Sequence, residues 1–166
     1  MNWTESILQG LIDCPKIVLD PPKDNPKGAR SGFTKKTFTL KSCDGDHEFS
    51  CFITQSLFFP ENFSIGLMYN SKEKGGSVVL LRCNGKHGGT REFPHHAHFH
   101  IHYSTAERIN SGMKAEGEIR ITEEYSSLDS ALEYFVNLIN LEKSEQPKIL
   151  PSRKIQIDLF SEDVDR

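Results

Sequence analysis

Histidines crowd one stretch of the chain. Five of the seven histidines lie between residues 95 and 102, in the sequence HHAHFHIH. Because side chains alternate between the two faces of a strand, a strand over residues 95–103 would carry two different rows. The histidine row would be His96, His98, His100 and His102, and the apolar row Ala97, Phe99, Ile101 and Tyr103, with His95 on the apolar side. The pattern predicts a strand with one face on a core and the other available for chemistry.

Histidines two apart on a strand can bind a metal. Such residues lie roughly 6.5–7 Å apart at Cα, and two imidazoles can then converge on one ion at about 2.0–2.1 Å. We expect His98, His100 and His102 to supply two or three ligands. The candidates to complete the coordination are Cys83, His87 and Glu92. Neutral imidazole suits zinc and several other transition metals, so one interpretation is a transition-metal-binding protein.

Histidines also perform acid–base chemistry without a metal, because they titrate near neutral pH. His100 and His102 would divide the roles of base and acid in RNA cleavage, with His98 as substitute or orienting group. The reaction needs a cation beside the phosphate, and Arg82, at the end of a predicted inner strand, is the candidate. The glycine-rich loop after it would let backbone amides approach a phosphate. In this loop Asn84, Gly85 and Lys86 would bind the phosphate, and His87 would be an auxiliary acid.

The same face also suits a binding module without catalytic activity. Phe93 and Tyr103 flank the histidines and can contact a partner protein or single-stranded RNA. All three interpretations use the same residues, so the sequence leaves the choice among them open.

Composition limits the class of protein. The length of 166 residues indicates one domain with one sizeable core. The net charge is −3. The charge argues against a general nucleic-acid coat protein but allows a local basic groove. The four cysteines show no C-x-x-C spacing, which favours reduced thiols in the cytosol. Neither a signal peptide nor a membrane span is predicted.

The elements that position the histidines begin with a hairpin. Asp44-Gly45 separates two alternating segments, residues 33–42 and 47–56, and is a strong two-residue turn signal. This turn opposes Leu40 to Phe49 and Phe38 to Cys51, which gathers the apolar side chains on one face. Further strands are predicted over residues 63–71, 77–83 and 118–122.

These elements predict an α+β fold with an antiparallel sheet of about five to seven strands. A long amphipathic helix over residues 127–142, capped by Ser126 or Ser127, would cover one face. Residues 1–32 are predicted to hold a short helix followed by a loop rich in proline and lysine over residues 15–32. Residues 33–142 form the core, and residues 143–166 a C-terminal extension in which residues 155–159 alternate like an edge strand.

Short motifs in the core carry a resemblance. They are FSIGL at residues 63–67, LLRCNGKH at residues 80–87, His100-Ile101-His102, and Tyr125 followed by the amphipathic helix. Over residues 38–141 this pattern looks like a family of small uncharacterised bacterial proteins. It is also distantly similar to the TumE-like toxins of toxin–antitoxin pairs. The chain differs from the toxin pattern in its proline-rich N-terminal segment and in its extra histidines. The resemblance implies a bacterial cytosolic ribonuclease whose active face is covered by an antitoxin protein.

We therefore predict a metal-independent endoribonuclease that acts on RNA and has an antitoxin partner. Its predicted catalytic residues are Arg82, His87, His98, His100 and His102, and its predicted substrate-binding residues are Asn84, Gly85, Lys86 and Tyr103. The alternatives are a zinc-class metal protein that uses His98, His100 and His102, and a binding module. A homodimer is left open.

Overall fold

The chain is built around one antiparallel sheet. In the computed structural model, which describes residues 2–73 and 76–150, seven strands lie side by side in chain order. They are β1 (Lys16–Asp24), β2 (Phe33–Ser42), β3 (Glu48–Ser56), β4 (Phe63–Ser71), β5 (Gly76–Asn84), β6 (His100–Ser104) and β7 (Glu116–Ile121). The helices are α1 (Glu5–Asp13), α2 (Ala106–Asn110) and α3 (Leu128–Leu138). The predicted antiparallel sheet is confirmed, and its strand number lies at the top of the expected range.

The β2–β3 hairpin has the register predicted from its turn. Leu40 lies opposite Phe49, and Phe38 lies opposite Cys51. Gly45 in the turn has a φ of 83°, in the left-handed region that glycine enters without steric cost. Because side-chain direction has a period of two along a strand, the register brings these apolar side chains to one face, where all of them are buried.

This buried face, which we call the covered face, carries the hydrophobic core. Alternate residues of the central strands contribute Phe38, Leu40, Phe49, Cys51, Ile65, Leu67, Leu81, Cys83 and Ile101. The helices contribute Leu8, Leu11, Ile12, Ala131, Leu132 and Phe135 to the same core cluster. The side chains between them point to the opposite side of the sheet, which we call the open face.

α3 is shorter than the helix predicted over residues 127–142. It begins after Ser127, whose hydroxyl accepts a hydrogen bond from the backbone N–H of Ser130 in a capping box. It has 11 residues and ends early because Asn140 adopts a left-handed φ of 56°. The predicted cap is confirmed and the predicted length is wrong. In the described part of the chain, no helix is long and apolar enough to cross a membrane.

The prediction of a loop over residues 15–32 is wrong for its first half, where β1 pairs with β2. Pro21 and Pro22 are tolerated because β1 is an edge strand of the described sheet, where a missing N–H need not break a ladder hydrogen bond. The register also shifts between Asp20 and Lys23, which accommodates the two prolines. The sheet therefore starts well before residue 33. The edge strand predicted over residues 155–159 lies outside the described residues.

Candidate functional site

The strand that carries the histidines lies beside the strand that carries Arg82. β6 pairs antiparallel with β5, so that His102 lies opposite Arg82 and His100 lies opposite Asn84. Tyr125 links the ends of the two strands by hydrogen bonding, because its hydroxyl lies 2.9 Å from the carbonyl oxygens of both Asn84 and His100. The adjacency that the predicted phosphate site requires is confirmed.

β6 is shorter than the predicted strand over residues 95–103. Pro94–Ala97 forms a 3-10 helix instead. Proline suits a first helical position because its φ is already helical and it has no N–H to lose. The predicted histidine row is therefore broken: His98 is exposed, and His95 folds back towards the strand histidines.

Three histidines from these two elements form a compact cluster. One ring nitrogen from each of His95, His100 and His102 lies within 4.8 Å of the others. The ring centroids are 5.1 Å apart for His95 and His100 and for His100 and His102, and 5.7 Å apart for His95 and His102. Nitrogen ligands at about 2.1 Å from a tetrahedral zinc lie about 3.4 Å apart, so small side-chain rotations would bring the three onto one ion. His95 takes the position predicted for His98.

The orientation of His100 is set by its own backbone neighbourhood. Its Nδ1 lies 2.8 Å from the carbonyl oxygen of His98. A carbonyl only accepts, so Nδ1 carries the proton and the lone pair of the neutral ring is on Nε2. Nε2 lies 3.5 Å from the side-chain nitrogen of Asn84. A histidine whose second nitrogen donates to a backbone carbonyl is typical of a metal ligand.

Burial keeps the two strand histidines neutral at pH 7. Desolvation above all, with the nearby charges of His102, His87 and His95 and against the hydrogen bond to His98, lowers the pKa of His100 to about 4. Desolvation together with the charge of Arg82, against the opposing charge of Glu116, lowers the pKa of His102 to about 4. Neutral imidazole is the form that binds a metal.

Arg82 is held by an acidic residue that the sequence analysis did not identify. Glu116 at the start of β7 accepts hydrogen bonds from Nε and Nη2 of Arg82, the latter at 2.9 Å. Lys114 lies 3.2 Å from the same carboxylate. Burial would raise the pKa of Glu116, but the hydrogen bond and charge of Arg82, together with Lys114, hold it below its usual value. Arg82 lines the cleft described below, with much of its charge balanced by Glu116.

Cys83 and Tyr103 belong to the covered face. Cys83 lies opposite Ile101 and is fully buried, and burial raises the pKa of its thiol to about 12. Tyr103 packs against the core and has the Arg120 guanidinium 4.6 Å from its ring centroid. Both residues lie on the other side of the sheet from the histidines, so the structure does not bring Cys83 together with the candidate metal ligands or Tyr103 together with the cleft.

The loop after β5 begins with a closely packed glycine. The N–H of Gly85 donates to the carbonyl of Phe63 at 2.9 Å. A Cβ at this position would lie 1.8 Å from the carbonyl oxygen of Glu61, so packing requires the glycine. Lys86 is exposed, with its ammonium 5.0 Å from the ring centroid of Phe99. The Gly85 N–H is thus used within the protein, and Lys86 is not among the described residues that line the cleft, so their phosphate-binding roles stay predictions.

His87 reaches the histidine cluster from this loop. Its ring centroid lies 3.9 Å from that of His96 and 5.4 Å from that of His100. Its backbone N–H donates to the His96 carbonyl at 2.9 Å, which ties the loop to the 3-10 helix. Burial lowers the pKa of both His87 and His96. His87 and Glu92 are both exposed, and His87 is the predicted additional ligand whose ring lies beside that of His100.

The cluster borders a cleft of about 770 Å³ on the open face, a size common for ligand sites. The cleft is lined by the cations Arg30, Lys35, Arg82 and Lys114 and by the rings of Phe33, Phe52, Phe63 and Phe93. Among the described residues that line it, none is Asp or Glu, although the whole chain has 23 acidic residues. A chain of net negative charge thus has a local basic groove beside its histidines.

Two cross-strand rows on the open face contribute seven of the residues that line the cleft: Lys35, Phe52, Thr54, Ser64, Arg82, Asn84 and His102. One runs Lys35, Thr54, Ser64, Asn84, His100, and the next runs Thr37, Phe52, Gly66, Arg82, His102. A Cβ on Gly66 would lie 2.2 Å from the Phe52 ring, so the glycine lets that ring rest on the β4 backbone. Lys35 and Phe52 were not predicted as site residues. The predicted hairpin register could have identified them, because it places both side chains on the open face, opposite to that of Phe38.

Comparison with known proteins gave no match to a family model, to a curated protein or to a solved structure. The likeness to TumE-like toxins, the ribonuclease activity, the antitoxin partner and the cytosolic location therefore stay predictions.

Proposed function

We propose that this protein is a metal-dependent hydrolase that holds a zinc-class ion through His95, His100 and His102. The observation that carries the proposal is the convergence of three ring nitrogens within 4.8 Å beside a basic cleft. Three histidine ligands with an open fourth position are the donor set of catalytic zinc sites. Such a site supplies a nucleophile from water at neutral pH and polarises an oxygen of the substrate.

The surrounding residues support a metal centre in two ways. The His98 carbonyl fixes the ring of His100 so that its lone pair is on Nε2, the nitrogen on the side of the cluster away from that carbonyl. Burial keeps His100 and His102 neutral, so binding an ion requires no deprotonation at pH 7. The cations of the cleft would hold a negatively charged substrate next to this ion.

The test is zinc binding by the untagged protein. We expect uptake of about one ion per chain, and an increase in unfolding free energy of about 2.7 kcal/mol at a free zinc concentration one hundred times the Kd. His100→Gln should abolish both effects. His98→Gln and His47→Gln, which change histidines outside the cluster, are the matched controls. Equal loss of zinc binding in His98→Gln and His100→Gln would show adventitious binding and end the proposal.

A second candidate is the metal-independent endoribonuclease predicted from the sequence. The observation that favours it is the pairing of Arg82 with His102 and of Asn84 with His100, which puts a cation and an amide beside two histidines. Its weakness is that pKa values of about 4 leave neither His100 nor His102 protonated as the general acid at pH 7.

The two candidates differ in their response to chelation. Under the metal-independent mechanism, RNA cleavage and growth inhibition persist in EDTA, and both are lost in the double variant His100→Ala, His102→Ala. An antitoxin partner is part of this second proposal only. Cleavage that is abolished by EDTA and restored by zinc would favour the hydrolase.

A further inference from the structure

We infer that the open-face cleft binds a single-stranded polynucleotide laid across the strands, with Phe52 as a base-stacking platform and Arg30 and Lys35 as phosphate-binding cations. The inference rests on the proposed function, because it names the substrate class of the metal site. The binding itself uses residues distant from the histidines and requires no metal.

The length of the cleft indicates a polymer. From Lys35 on β2 to His102 on β6, both of which line the cleft, the distance is four strand spacings, or about 19 Å. The hydroxyls of Thr54 and Ser64 and the amide of Asn84 lie between these ends. A linear chain with repeated polar groups can contact both ends at once.

The charges indicate a ligand with repeated negative groups. Glu116 balances Arg82 and Lys114 near the histidines. At the other end, Arg30 and Lys35 form no ion pair within the described residues. Each lies over a ring instead: the Arg30 guanidinium carbon is 4.1 Å from the Phe33 centroid, and the Lys35 ammonium is 5.8 Å from the Phe52 centroid. These two cations are available for phosphates at the end remote from the metal ligands.

The aromatic ring on the floor favours nucleobases over carboxylates. The Phe52 ring packs against the β4 backbone at Gly66, and the Lys35 ammonium lies 5.8 Å from its centroid. Sheet surfaces that bind single strands combine stacking rings with cations in this way. An acidic peptide would use the cations but has no group to stack on Phe52.

The test is fluorescence anisotropy with labelled 12-nucleotide RNA and DNA of one sequence, in EDTA. Phe52→Leu, which keeps the apolar volume, should weaken binding roughly tenfold through lost stacking. Lys35→Gln should reduce the slope of log affinity against log salt by about 0.7, the value for one phosphate contact on a single strand. Lys36→Gln is the matched control, since the next residue of β2 projects from the other face and is exposed.

Several results would overturn the inference. They are equal effects of Lys35→Gln and Lys36→Gln, no binding of either oligonucleotide, and tighter binding of a labelled oligoglutamate peptide. If Phe52→Leu lowers the unfolding midpoint, the salt dependence of the surface variant Lys35→Gln becomes the deciding test of polynucleotide binding.

Zinc titration of the same variants separates this inference from the proposed function. We expect Phe52→Leu and Lys35→Gln to bind zinc normally, and His100→Gln to bind polynucleotide in EDTA. If the wild-type protein binds the oligonucleotide but no zinc, only the metal proposal is refuted. If it binds zinc but no oligonucleotide, only this inference is refuted.

Discussion

The two faces of the sheet each hold a polar centre, and the two centres use their polar atoms differently. On the covered face, the buried ammonium of Lys16 donates to the carbonyl oxygens of Ile12, Cys14 and Ile139 at 2.7, 2.8 and 2.8 Å. All three N–H groups are used, and the acceptors lie at the C-terminal ends of α1 and α3, where a cation is favourable. On the open face, ring nitrogens of His95, His100 and His102 converge within 4.8 Å of one another beside a cleft.

This difference separates a structural centre from a candidate binding centre. Desolvation lowers the pKa of Lys16, as it lowers those of His100 and His102. A shifted pKa is therefore common to both faces and does not identify a site. What distinguishes the histidine cluster is that three ring nitrogens converge beside a cleft.

The largest expected difference between the faces is in apolar packing. Phe38→Ala, on the covered face, should cost about 3–5 kcal/mol of unfolding free energy because it leaves a cavity in the core. Phe52→Ala, on the open face, should cost about 1 kcal/mol, since its half-buried ring borders the cleft. Urea denaturation of both variants measures the contrast. Similar losses would mean that the open face is part of the folding core.

Removing the charge at Lys16 should come next. Lys16→Met keeps the apolar stem but leaves three carbonyl groups without their donor, at a cost of about 3 kcal/mol. Lys36→Met, at an exposed position of β2, is the control and should change stability by about 0.5 kcal/mol or less. A loss below about 1 kcal/mol in Lys16→Met would refute the structural assignment of this centre.

The open face should make stability depend on pH. The pKa values of His100 and His102 are about 4 in the folded chain and near 6.5 when unfolded, so the unfolded chain binds more protons between these values. Their stabilisation is complete above pH 6.5 and is lost as the pH falls towards 4. After allowance for solvent screening at His102, we expect a loss of roughly 2 kcal/mol between pH 7 and pH 5.

Urea denaturation across this pH range, without metal, tests that dependence. The double variant His100→Gln, His102→Gln should flatten it, and His47→Gln should leave it unchanged. The groups that face the two histidines are His87, His95, Arg82, Lys114 and Glu116. An unchanged slope in the double variant would assign the effect to other groups.

The smallest change in stability is expected at Tyr125, a core residue whose hydroxyl contacts the backbone of the two strands that carry the candidate site. Tyr125→Phe removes the hydroxyl that binds the carbonyls of Asn84 and His100, and should cost about 1 kcal/mol. Because this hydroxyl fastens β5 to β6, zinc affinity should fall as well. Tyr134→Phe is the control, since no hydrogen bond to that hydroxyl occurs within the described residues. Unchanged stability and zinc affinity in Tyr125→Phe would show that strand pairing alone positions His100.

The sequence by itself determined the features that depend on local pattern. The Asp44-Gly45 turn set the β2–β3 register, alternation placed Ile101 in the core and His100 and His102 outside it, and Ser127 marked the start of α3. These features follow from turn chemistry, the two-residue period of a strand and helix capping, all of which act over a few residues.

The tertiary structure alone decided which side chains meet. Pro94 starts a 3-10 helix that exchanges His98 for His95 in the cluster, and Glu116 reaches Arg82 only because β7 pairs beside β6. The row from Lys35 to His100 requires four strand pairings in register at once. Such contacts join residues far apart in the chain, and local pattern does not encode which partners come together when the sheet closes over its core.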